Sequence, residues 1–191
     1  MKRAEKRRHL IETAARLFNE RGYHAVGVDQ IIAEAGVAKT TLYRHFPTKE
    51  ALTAEALKLQ DEDFRDGMRA FVEAQASAAG ARILATFDYI KAWFEDAEFH
   101  GCPFVSATHE HAALADSVSA EALLHKRLVI AYFEELAHAA GLPDPKAAAR
   151  EINLLHEGAV AVAHVLGVSE AAEDAKSIAR RILDLSDAGA G

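Results

Sequence analysis

Cysteine is almost absent from this sequence. Cys102 stands alone, so no intramolecular disulfide can form, and a reducing interior is the expected setting. Proline is nearly as scarce, and Pro47, Pro103, Pro143 and Pro145 all fall at breaks between periodic segments. No apolar run approaches the roughly 20 residues that span a bilayer. The opening "MKRAEKRRHL" is charged with no apolar stretch after it, which excludes a secretory signal. A cytoplasmic, soluble protein is expected. Strand-like alternation is missing as well. What is abundant is helix-forming residue types, and half of the chain is hydrophobic, enough for a substantial core.

The periodicity predicts an all-α chain of about nine helices. Leu10, Ala14, Leu17 and Phe18 share one face of a first helix over residues 2–21, closed by Gly22. Short helices follow from Asp29 to Ala35 and from Lys39 to His45, too short to persist without packing. Thr48 caps a long helix whose inward residues are Leu52, Ala56 and Leu59, and Gly80 is the expected break after it. A helix bearing Ile83, Leu84, Phe87, Ile90 and Phe94 comes next. Pro103 opens a short one ending at Glu110. Helices near 118–140 and 145–166, and a last one after Ser169, complete the chain.

Charge is uneven. Residues 1–46 hold nine lysines and arginines against five acids, a surplus of four cations; with −7 for the whole chain, the remainder carries −11. A basic head on an acidic body points to a polyanionic partner for the head. The two short helices meet through Ala35-Gly36-Val37, with Ile31, Ile32 and Leu42 as further apolar contacts, which is a helix-turn-helix pattern. Its second helix would present Lys39, Thr40, Thr41, Tyr43, Arg44 and His45. These donors match phosphate oxygens and base-edge acceptors.

Residues 7–57 resemble the DNA-binding domain of the TetR family of bacterial transcriptional regulators. The resemblance rests on Ala14-x-x-Leu17-Phe18-x-x-x-Gly22-Tyr23, on Ile31-x-x-x-Ala35-Gly36-Val37, and on Leu42-Tyr43-x-His45-Phe46-x-x-Lys49-Glu50-x-Leu52. It implies a helix-turn-helix domain over 1–47 and a ligand-binding and dimerisation domain over 48–191. Carried over by position, Lys39 and Thr40 face the groove, and Thr41, Tyr43, His45 and Lys49 clamp phosphate. Arg44 reaches base or backbone. Phe46 packs on the first helix, and the basic run Lys2 to Arg8 either reaches flanking DNA or is a disordered tail. Two positions depart from the pattern: Ala38 and Gly27 stand where the family often has hydroxyl residues, so neither short helix has a side-chain cap there.

Seven of the ten histidines lie at or after residue 100 (100, 109, 111, 125, 138, 156 and 164). Their spacing does not make a metal site: His109 and His111 diverge on a helix, and His156 and His164 are about 12 Å apart along one. They are read as pocket or surface groups, with no metal or other cofactor. "FHGCPFVSATHE" resembles a segment that lines the ligand cavity in some TetR-like regulators. The expected pocket draws on Tyr89, Trp93, Phe104, His109, Glu110, Tyr132 and His156, an apolar set with a few orienting polar groups. Ordinary core is the competing account of each aromatic, and Cys102 is read as a buried thiol.

The last two helices carry Ile152, Leu155, Ala159, Val162 and Val165, then Ala175, Ile178, Ile182 and Leu185. In TetR-like proteins such helices pair with their symmetry mates. The resulting expectation is a homodimeric repressor, not an enzyme, released from a double-stranded DNA operator by a small-molecule effector. Two alternatives stand beside it: a ligand-independent DNA binder, and an enzyme using Glu110 and His156 with the head as a DNA tether.

Overall fold

The computed structural model of the chain describes residues 3–110 and 117–188, without the side chains of Glu110 and residues 185–188. Nine helices run through the described residues: α1 (Arg3–Arg21), α2 (Val28–Ala35), α3 (Lys39–His45), α4 (Lys49–Gln75), α5 (Ala79–Phe94), α6 (Pro103–Glu110), α7 (Ser117–Ala139), α8 (Pro145–Leu166) and α9 (Glu170–Ala188). No strand occurs among those residues, and none of these helices is long and apolar enough to cross a membrane. The all-α expectation holds.

Local chemistry explains most of the boundaries. Thr48 Oγ1 accepts the Ala51 amide at 3.1 Å and caps α4. Asp144 does the same for α8 through the Ala147 amide, with Pro145 pre-set in the first turn. Gly36 closes α2 in the left-handed region (φ 62°), which lets Val37 N–H return to the Ile32 carbonyl at 3.1 Å. Ala38 and Gly27 give no side-chain cap, as their identities predict. One break moves. It falls at residues 76–78, and Gly80 lies inside the first turn of α5. First-turn amides have no intrahelical acceptor, so glycine costs less there than in mid-helix.

The described residues form two compact units. The first comprises those within Met1–Phe64 and Cys102–His125. In it α1, α2 and α3 pack on one another, and one core holds Leu10, Leu17, Phe18, Ile31, Leu42 and Phe46 with Leu52 and Leu57 of α4 and Phe104 and Ala107 of α6. Tyr23 stacks on Phe18 at 4.9 Å and donates its hydroxyl to the Pro103 carbonyl at 3.2 Å. Cys102 is half-buried against this core. The second unit comprises Arg65–Gly101 and Lys126–Gly191 as far as described. There α8 packs on α9, and α5 packs on both. Its core includes Met68, Val72, Ile83, Phe87, Ile90, Phe133 and Ile152.

Candidate nucleic-acid interface

Leu42 anchors α3 from below and is fully buried. That single contact fixes the rotation of the helix, because residues three and four apart share a face. Lys39, Thr40, Tyr43 and Arg44 are then exposed, and Thr41 and His45 are half-exposed. Phe46 is buried in the core, with the Arg7 guanidinium 5.2 Å above its ring. The exposed and half-exposed face therefore offers two cations, three hydroxyls and an imidazole. His45 is held below the ordinary histidine pKa, first by partial burial and then by Arg3, Arg7, Arg44 and Lys6. The cations of α1 and α3 thus act on one place, and an anion there would relieve their mutual repulsion.

Two of the sequence-predicted DNA residues have internal partners. Lys49 Nζ donates to the Tyr23 carbonyl and sits 5.8 Å from the centre of the Phe18 ring. An ammonium carries three donors, and this bond holds the side chain in place at the start of α4. Lys39 Nζ lies 2.8 Å from Asp29 Oδ1 of α2, and this bond raises its pKa. Lys2 lies outside the described residues; Arg3 to Arg8 are helical.

The residues expected to line a pocket are divided between the units. Tyr89, Trp93, Tyr132 and His156 are in the second, whereas Phe104 and His109 are in the first. Phe104 is buried and stacks on the His125 ring at 3.6 Å, and His125 Nδ1 pairs with Asp61 at 2.8 Å, so this ring serves a core. His109 is exposed; the Glu110 side chain and His111 lie outside the described residues. In the second unit His156 is buried between Phe87 (4.4 Å) and Phe133 (4.8 Å). Its Nε2 is 2.9 Å from Thr86 Oγ1, which also donates to the Ile83 carbonyl at 2.7 Å. With the hydroxyl proton committed to Ile83, Nε2–H is the donor and Nδ1 the acceptor. Burial, with a smaller push from Lys126, lowers the His156 pKa to about 3. Tyr132 lies under the Arg69 guanidinium at 4.3 Å, and Trp93 meets the Phe99 ring edge-on at 5.0 Å.

Comparison with known proteins bears on this geometry. The family model described as "Bacterial regulatory proteins, tetR family" matches residues 10–56, the segment that builds α1, α2, α3 and the start of α4. The crystal structure of SCO4454, a TetR-family transcriptional regulator from Streptomyces coelicolor, superposes with a TM-score of 0.88 at 31% identity, covering 96% of each chain. The chain belongs to the TetR family. Among curated relatives of this TetR-family protein, the transcriptional repressor DhaR of a Mycobacterium species is 32% identical over 123 residues. The transcriptional activator FasR of Mycolicibacterium smegmatis is 35% identical over 92 residues. These matches span 64% and 47% of this chain, and 61% and 42% of the relatives.

Membership makes this TetR-family protein a helix-turn-helix transcriptional regulator, as the sequence motifs imply. Three residues near its candidate sites escaped the sequence reading: Asp29, Thr86 and Asn153. Asp29 meets Lys39 only because α2 and α3 cross. Thr86 and His156 are 70 residues apart. Asn153 Oδ1 is buried and has no hydrogen-bond partner among the described residues, which no helical pattern reveals.

Proposed function

We propose that this chain is a homodimeric repressor of the cytoplasm that holds a two-half-site operator through α3 and releases it when a small molecule binds in the 48–191 domain. Residues 1–47 are then the DNA-reading head. The observation carrying this reading is the exposed face of α3, where hydroxyls and cations stand beside the cations of α1 on a fixed helix-turn-helix. In the effector part, Tyr89, Trp93, Tyr132 and His156 remain the ligand residues, and Asn153 joins them. An orphaned buried acceptor asks for a donor. Asn153 Oδ1 and His156 Nδ1 would together select a flat, largely apolar ligand carrying hydroxyl or amide protons. The ligand acts by preferring the spacing of the two heads that does not match the operator.

Selection of bound DNA from a random library, followed by a salt series, tests the DNA half. Arg44→Ala and Lys49→Ala should weaken every site alike and reduce the salt slope by about one, as phosphate contacts do. Thr40→Ala should change base preference at one position, by on the order of 1–3 kcal/mol. A salt slope equal to wild type in both cation variants, with their folding intact, would remove this face from DNA. A thermal-shift screen of small aromatics tests the effector half: a ligand at about 100 times its Kd adds roughly 2.7 kcal/mol. A hit should also release operator DNA, and Asn153→Ala should weaken it.

A further inference from the structure

One acid is out of place on the cationic face. Asp29, in the first turn of α2, is 80% exposed, and its carboxylate lies 2.8 Å from the ammonium of Lys39, the first residue of α3. A carboxylate on a surface that meets DNA is repelled by every phosphate around it, so it weakens sequence-independent binding. Two ordinary explanations fall short. A negative charge in the first turn favours α2 through its dipole, yet that benefit is small at an exposed site and does not require contact with Lys39. An exposed ion pair of this kind adds little to folding. What the pair does achieve is chemical: it places one acceptor and one donor side by side at the start of the helix that reads DNA.

Helix-turn-helix docking brings the first residues of the recognition helix to base edges in the major groove. There a G·C pair displays the guanine N7 and O6 acceptors next to the cytosine N4 amino donor. We propose that Asp29 is a specificity residue that reads cytosine, acting with Lys39 on the guanine of the same G·C base pair. Lys39 donates to guanine O6 or N7, and Asp29 accepts from cytosine N4. Where thymine replaces cytosine, its O4 faces the carboxylate, and two acceptors meet without a proton between them. The carboxylate thus discriminates by repulsion as well as by attraction, at the expense of general affinity. This inference rests on the reading of α3 as a DNA-recognition helix and adds a residue from α2 to it.

The experiment compares the motifs that the full-length wild type, Asp29→Ala, Asp29→Asn and Lys39→Ala select from one random library, with thermal melts of each variant to confirm folding. Wild type should select a fixed G·C pair in each half-site. Asp29→Ala and Lys39→Ala should both relax that same pair, losing about tenfold or more of the discrimination against A·T, while other positions keep their preference. Asp29→Ala should also bind random DNA more tightly, because one repulsive charge is gone. Asp29→Asn should move the preference toward adenine, whose N6 and N7 suit an amide. A motif unchanged in Asp29→Ala, or relaxation at a different pair from that of Lys39→Ala, overturns the inference and leaves the regulatory reading standing. A wild type that selects no motif overturns both.

Discussion

His156 shows how much one buried side chain can decide. Its imidazole is enclosed by Phe87 and Phe133 and bonded to Thr86, and its pKa of about 3 keeps it neutral at any physiological pH. Between that value and the ordinary 6.5, the unfolded chain binds a proton at this position that the folded chain does not. Stability is therefore complete above pH 6.5 and declines as pH falls toward 3. Linkage puts the loss at about 2 kcal/mol between pH 7.5 and pH 5.0. Denaturant titrations across that range check it: His156→Gln should lose this share of the pH dependence, and an equal slope in both proteins would mean the group is not held neutral. Thr86→Val should be destabilised by about 1–3 kcal/mol, because it strands the histidine donor. The sequence disclosed that histidines gather in the second half, but not which was buried. His156 and His164 stand two turns apart on α8, and one is enclosed while the other is exposed.

At the scale of elements, what is local was legible and what is tertiary was not. Thr48, Pro103 and Pro145 mark helix starts because capping and a fixed φ act over one turn. Gly80 misled because glycine signals a break only where its neighbours also leave the helix, and here Ala78 leaves first. The joining of Phe104 to the core of the first unit was hidden for a different reason: periodicity gives the inward face of α6 but not the helices that cover it. The turn at Gly101 is another such case. Its φ is +84°, and a methyl group there would stand 2.9 Å from the His164 ring. Gly101→Ala should therefore suffer both a left-handed backbone penalty and a clash, on the order of 1–3 kcal/mol together. Melting temperatures separate the two terms. Adding His164→Ala should recover the clash and leave the backbone share, whereas no recovery would show that the ring moves aside freely.

For the whole molecule, the decisive feature is apolar surface that the single chain leaves uncovered. Leu154, Val162, Val165 and Leu166 on α8 are 71%, 44%, 78% and 66% exposed, and Ile178 on α9 is 44% exposed. The α8 residues follow the i, i+8, i+11, i+12 pattern of one helix face, and α8 packs directly on α9. Contiguous exposed aliphatics of this kind mark an interaction surface. The proposed function gives this chain two half-sites to address, and on that reading a second copy of the chain is the cover we propose for this face. Leu155 and Ile182 are half-buried, so charging them would confuse loss of partner with loss of fold. Val165 avoids that difficulty. Val165→Glu should keep the helical circular-dichroism spectrum and the melting cooperativity, yet sediment as a monomer at concentrations where wild type is a dimer. It should bind a single half-site nearly as before and lose most of the added affinity for the paired operator. A Val165→Glu protein that remains dimeric would move the interface away from this face of α8, and with it the explanation of why so much aliphatic surface is left in contact with water.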